Sequence, residues 1–169
     1  MADASPISSF PPISNHFANR LILGSMPGIM SLKANQYYAH PRNAFWRIMA
    51  EVYQFKVPSE YGSRIEYLKA SGLAVWDVLK SCERSGSLDS RIVNGTRVCN
   101  DFKQFFDRHP NIKSIGFNGL EAEKSFNRFV LPGLSKKDFR YTRLPSTSPA
   151  NTQAFQDKML AWRTFLLEC

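Results

Sequence analysis

The sequence predicts an α/β domain: a three-layer α/β/α sandwich around a mostly parallel four-stranded sheet. Three observations predict it. Short apolar runs alternate with stretches whose apolar residues recur at helical spacing, the mark of strands joined by helical crossovers and hence of a sheet covered on both faces. The length of 169 residues suits one such domain. A hydrophobic content of 43% supports a core of that size and excludes a chain disordered throughout.

Taken in order, residues 1–15 (MADASPISSFPPISN) are rich in Ser and Pro. They lack the basic start and apolar stretch of a secretory signal and read as a flexible N-terminal arm, leaving 16–169 as a single domain. Residues 20–24 form a short apolar run ending in Gly, the first buried strand. Residues 28–38 read as a polar loop. Phe45, Ile48, Met49 and Val52 fall at i, i+3, i+4, i+7, so a helix starts near Asn43 and Pro58 ends it. Ser59 suits the cap of a second helix to about Ala70. Residues 72–79 read as the second strand and 81–95 as an irregular polar loop. Val98, Phe102, Phe105 and Phe106 make a helical stripe, residues 113–119 the third strand, and Ala122, Phe126 and Phe129 another stripe. Residues 139–144 alternate as the fourth strand, and Phe155, Met159, Trp162 and Leu166 are spaced for a terminal helix.

The 22 Lys and Arg against 14 Asp and Glu give a net charge of +8, which favours a polyanionic partner, nucleic acid first. The 3 cysteines are scattered with no CxxC pair. They build neither a thiol-only zinc or iron–sulfur site nor a disulfide framework, so a reducing, cytoplasmic location is expected. No apolar run is long enough to span a bilayer, and a membrane is not among the expected partners.

Ligand sites on such sheets gather at the carboxyl ends of the strands, which directs attention to the loops that follow them. Gly24-Ser25-Met26-Pro27-Gly28 lets backbone approach a ligand closely, or is a plain turn. In Tyr37-Tyr38-Ala39-His40-Pro41-Arg42-Asn43, the paired tyrosines offer a stacking surface, while Asn43 also fits a helix N-cap. Asn118 ends an otherwise apolar strand; its amide either bonds to neighbouring backbone or faces a ligand. In Ser146-Thr147-Ser148-Pro149-Ala150-Asn151, Ser148 and Pro149 suit a helix start, whose free amides and hydroxyls would also grip a phosphate. Lys136, Lys137, Arg140 and Arg143 lie just upstream and add charge.

In that order these segments resemble the uracil-DNA glycosylase superfamily over nearly the whole chain, from about Leu21 onward. Ala39-His40-Pro41-Arg42-Asn43-Ala44-Phe45-Trp46 is similar to the mismatch-specific thymine/uracil branch. The Gly-Ser-Met-Pro-Gly and Ser-Thr-Ser-Pro-Ala-Asn pair is closer to the hypoxanthine-DNA glycosylase family. The chain departs from the superfamily at three places. Met26 stands where many members carry a water-orienting Asp or Asn, Ser146 where many carry His, and Ala150 where a bulky wedge is usual.

The resemblance implies a monofunctional DNA glycosylase without metal or cofactor, acting as a monomer on double-stranded DNA. It would flip a deaminated base and excise it by hydrolysis. Asn43, with Ser146 and Ser148, would supply catalytic polarity. Ser25, Met26, Gly28, Tyr38 and Asn118 would form the base pocket, Tyr38 stacking on the base and Asn118 reading its edge. Arg42, Lys136, Lys137, Arg143, Thr147, Ala150 and Asn151 would hold the DNA. Gly28 replaces a bulky Tyr of uracil-specialised relatives, so hypoxanthine is the expected base and uracil the second. The alternative is a non-catalytic nucleic-acid or nucleotide-binding module on a degenerate glycosylase scaffold.

Overall fold

The structure, a computed structural model, describes residues 4–135 and 138–168. In chain order its elements are β1 (Ser5–Ser8), β2 (Arg20–Gly24), α1 (Ile29–Ala34), α2 (Phe45–Tyr53), α3 (Tyr61–Ala70), β3 (Leu73–Asp77), β4 (Leu79–Arg84), β5 (Val98–Cys99), α4 (Phe102–Arg108), β6 (Ser114–Asn118), α5 (Leu120–Ser125), β7 (Arg140–Leu144) and α6 (Phe155–Leu167). The central sheet has the order β3-β2-β6-β7, and every pairing in it is parallel. All four strands therefore end at the same edge.

Side-chain alternation along each strand splits the core in two. Leu21, Leu23, Ala74, Trp76, Ile115 and Phe117 point to one face, where Phe102, Phe105 and Phe106 of α4 and Phe126 cover them. Ile22, Leu73, Val75 and Leu144 point to the other, under Phe45 and Met49 of α2, Leu68 of α3 and Trp162 and Phe165 of α6. That is the three-layer α/β/α arrangement the pattern predicts. At the centre, Gly116 lets α6 approach the sheet: a Cβ there would stand 2.8 Å from the Phe165 ring and from Leu144 Cδ1.

The structure differs from expectation at several places. Residues 5–8 of the supposed flexible arm pair antiparallel with β4, Ile13 is buried and bridges to Val75, and the Phe10 carbonyl accepts from Trp76 Nε1. Phe10 and Ile13 supply enough apolar surface to dock a segment that its Ser and Pro content makes look loose. The antiparallel sheet β1-β4-β5 takes in part of the expected irregular loop, and exposed Val98 lies in β5 rather than on a helical stripe. Phe129 is exposed too, because the chain passes from α5 into a π-helical turn at Phe126–Val130. Residues 29–34 form α1 instead of a loop; the stretch has no Pro and closes on Asn35 in the left-handed region at φ 53°.

The last helix starts at Phe155, seven residues after the expected cap at Ser148. Ser148-Pro149-Ala150-Asn151 closes as a β-turn instead, with the Asn151 N–H on the Ser148 carbonyl at 3.0 Å. Pro is as well suited to the second position of a turn as to the first of a helix. The expected helix-terminal amides at this loop are therefore absent.

Candidate active site

A cleft of about 400 Å³ opens where β2, β3, β6 and β7 end, within the range of small-ligand sites. One wall is the Gly24–Gly28 segment, the floor holds Asp77 and Asn118, and residues 146–151 form the opposite lip. The structure brings Asn43, Ser146, Ser148, Ser25, Met26, Gly28, Tyr38, Asn118, Thr147, Ala150 and Asn151 together on this cleft.

Their roles there are set by their partners. Asn43 Oδ1 accepts the Phe45 N–H at 3.0 Å, so the residue steadies the start of α2 while lining the cleft. The Ala44 N–H donates to the Thr147 carbonyl, tying this loop to the last one. Asn118 Oδ1 accepts the Thr147 N–H and its Nδ2 donates to Thr147 Oγ1, both at 2.9 Å. Both ends of the amide are thus engaged in fastening the 146–151 loop. Thr147 is only 1% exposed; its hydroxyl and backbone face inward, which corrects its expected place in the DNA grip. Ser146 Oγ accepts the Ser148 N–H, and Asn151 Nδ2 donates to the Ser146 carbonyl. Buried Lys158 donates to the Asn151 carbonyl, and burial lowers its pKa.

Four expected DNA contacts lie off the cleft or outside view. Arg143 is exposed on β7 and held by both carboxylate oxygens of Glu123, at 2.6 and 3.2 Å. Arg42 is exposed, its N–H on His40 Nδ1. Lys136 and Lys137 lie outside the described residues.

Sequence reasoning missed Asp77. It sits at the end of β3 on the face of Leu73 and Val75, opposite Gly24 in the strand register. It is 4% exposed, and its Oδ2 is buried without a hydrogen-bond partner. Burial first, then the neighbouring Asp89 carboxylate, push its pKa up to about 7 against the pull of Arg84. The Tyr38 hydroxyl is buried beside Asp77. Its ring lies against Phe45, with centroids 4.0 Å apart. Burial followed by Asp77 raises its pKa, against the Asn118 amide, which is close enough to pull it down. The two groups converge. A Cβ on Gly24 would stand 2.5 Å from Asp77 Oδ1 and 3.4 Å from the Tyr38 hydroxyl. The glycine that ends β2 is thus demanded by the carboxyl group beside it.

A second missed group braces the wall. Ser25 Oγ donates to Asp89 Oδ1 at 2.7 Å. Arg84, 2% exposed, donates to the carbonyls of Pro27 and Gly86 and lies 4.0 Å from Asp89. The Ser87 hydroxyl accepts the Ile29 N–H at 2.9 Å. The only sequence signal for Asp77 was a carboxylate inside the apolar run 72–79, whereas Asn118 stood at the end of one.

No family model matches the chain. It is 33% identical over 154 residues to a hypoxanthine DNA glycosylase of Methanosarcina barkeri, covering 90% of this chain and 93% of the relative. It is 32% identical, over the same shares, to a hypoxanthine DNA glycosylase of Methanosarcina acetivorans. A solution NMR structure of a candidate uracil DNA glycosylase from Methanosarcina acetivorans superposes with a TM-score of 0.81 at 29% identity, over 96% of this chain and 97% of that one. With the strand-end cleft built from the same segments that carry the sequence resemblance, the chain belongs to the hypoxanthine DNA glycosylase family of the uracil-DNA glycosylase superfamily.

Proposed function

We propose that this DNA glycosylase releases hypoxanthine from duplex DNA, with uracil as a second substrate, and that Asp77 reads the base. The observation that carries the reading is the unpartnered Oδ2 of buried Asp77, whose carboxyl converges with the Tyr38 hydroxyl at Gly24 inside the cleft. A buried polar group without a partner is costly, and a flipped base would supply the partner. Hypoxanthine and uracil share an edge with an N–H beside a carbonyl. A neutral carboxylic acid matches that edge, its carbonyl accepting from the N–H and its O–H donating to the base oxygen. Asp77, with its pKa raised to about 7, holds that proton in the acid range and gives it up through neutrality. Asn118, engaged at both ends by Thr147, serves as the brace of the last loop.

Hydrolysis breaks the bond between the base nitrogen and C1′ of the sugar. Water adds its oxygen to C1′ and its proton leaves with the base, so the products are the free base and an abasic sugar. As the bond breaks, negative charge spreads onto the base oxygen, where the Asp77 O–H stabilises it. A neutral buried acid is suited to that task. Asn43, which lines the same cleft, supplies a polar group for the attacking water or the developing charge on the sugar. Tyr38 adds its hydroxyl to the edge while its ring rests on Phe45. Gly28 leaves its side of the cleft open: a Cβ there would meet only Ser87, at 3.4 Å, which leaves room for a purine.

The reading includes a monomer working in the cytoplasm, a reducing setting in keeping with free Cys82 and Cys99. Among the described residues no helix is long and apolar enough to cross a membrane. The test is base release from duplexes carrying inosine, uracil, adenine or guanine at one site. Release from inosine, weaker release from uracil and none from adenine or guanine is expected. Uracil release without inosine release would overturn the purine pocket.

A further inference from the structure

We propose that Leu88 is the wedge that enters the base stack when the target nucleotide leaves it. The inference rests on the glycosylase reading and assigns a task the resemblance leaves vacant. Ala150, at the expected wedge position, carries a single methyl group on the lip of the cleft, too short to fill the space of a missing base. On the loop tied to Ser25 and Ile29, Leu88 lines the same cleft and is 46% exposed.

Its exposure is not a sign of a loose loop. The residues on either side are both fastened to the first wall: the Ser87 hydroxyl accepts the Ile29 N–H at 2.9 Å, and Asp89 accepts from Ser25 at 2.7 Å. The Leu88 carbonyl itself accepts the Arg91 N–H at 3.0 Å. Arg84 underneath binds the carbonyls of Pro27 and Gly86 and so locks the two loops together. An apolar side chain is thus held out to solvent between two anchored neighbours, beside a cleft that takes a flipped base. Apolar wedges of this size are how proteins hold open a base step. Preorganisation removes the cost of ordering the loop on binding. Met30, 45% exposed nearby, is the rival. Its neighbours are tied as well, Ile29 to Ser87 and Ser31 to the Ala39 N–H, but its longer, more flexible chain loses more rotamer freedom on insertion.

The occupant is the duplex stack, and the test follows from that. Affinity is measured for a duplex with one tetrahydrofuran abasic analogue and for the same strand alone, with wild type, Leu88→Ala, Leu88→Phe and Met30→Ala. A wedge matters only where there is a stack to fill. Leu88→Ala should lose roughly tenfold on the duplex and stay within twofold on the single strand. Leu88→Phe should restore the duplex affinity. Equal losses on both substrates, no loss on either, or a duplex loss in Met30→Ala instead of Leu88→Ala would overturn the assignment. Because the abasic analogue needs no excision, this result is read independently of whether inosine is released. A wild type that binds as expected but releases no hypoxanthine would sink the proposed function alone.

Discussion

Replacing Asp77 with Asn keeps the shape of the side chain and fixes its edge as one donor and one acceptor at every pH. The effect on stability follows from linkage. The ordinary Asp value is 3.8, and in the folded chain burial raises it to about 7. Below pH 4 both folded and unfolded states hold the proton, and the carboxyl carries no penalty. Between about 4 and 7 the folded state keeps a proton that the unfolded state releases, so stability falls by about 1.4 kcal/mol per pH unit. Above 7 the loss is complete, at about 4 kcal/mol. Asp77→Asn has no such loss. It should match wild type near pH 4 and melt about 10 °C higher near pH 8, at roughly 2–4 °C per kcal/mol for a domain of this size. The groups facing Asp77 do not cancel the effect. Tyr37 and Tyr38 stay neutral because burial raises their own pKa values, and Asp89 and Arg84 act in opposite directions on it.

Single-turnover release of hypoxanthine measured over the same range gives the second arm. Wild-type release should fall as Asp77 ionises near pH 7, and Asp77→Asn should be active with that limb removed. A melting difference that does not change with pH would show that Asp77 holds no extra proton. An inactive Asp77→Asn, together with wild-type activity rising through pH 7, would make the residue a base acting on water and refute the neutral-acid argument.

Asn43→Ala should slow the chemical step by about 10² to 10³ if its amide supports water or the developing charge, and should cost about 1 kcal/mol through the lost Phe45 N–H partner. Melting temperature and single-turnover rate measured on one preparation separate the two; a stability loss with full activity would leave Asn43 a cap alone. Gly24→Ala places a methyl group 2.5 Å from Asp77 Oδ1, so it should destabilise by about 1–3 kcal/mol and abolish release. The same change in an Asp77→Gly background should cost far less stability, and an equal cost in both would show that the clash lies elsewhere.

The sheet was legible because its strands announce themselves twice, as apolar runs and by what ends them. Leu21-Ile22-Leu23 is buried on both faces and closes on Gly24, a pattern that only a central parallel strand explains. The small antiparallel sheet was not legible. Its first strand is Ser-Pro-Ile-Ser and its second is Leu-Lys-Ser-Cys-Glu-Arg, and their pairing spans more than 70 residues, a contact that no local periodicity encodes. The same limit applies to the site. Ser148-Pro149 satisfies the rules for a turn and for a helix start alike, and the choice falls to Asn118 and Lys158, which pin the loop from distant elements. Asn118 drew attention as a buried amide at a strand end, while Asp77 stood inside the apolar run 72–79 and only the fold places it at a strand end too. What separates them is partnership. Thr147 lies 29 residues from Asn118 and engages both ends of its amide, while among the described residues Asp77 Oδ2 has no hydrogen-bond partner. Sequence position says that a polar group is buried; only the fold says whether the protein itself has satisfied it. Where it has not, the unmet group is the better candidate for contact with a ligand, which is why we propose Asp77 rather than Asn118 as the reader of the base.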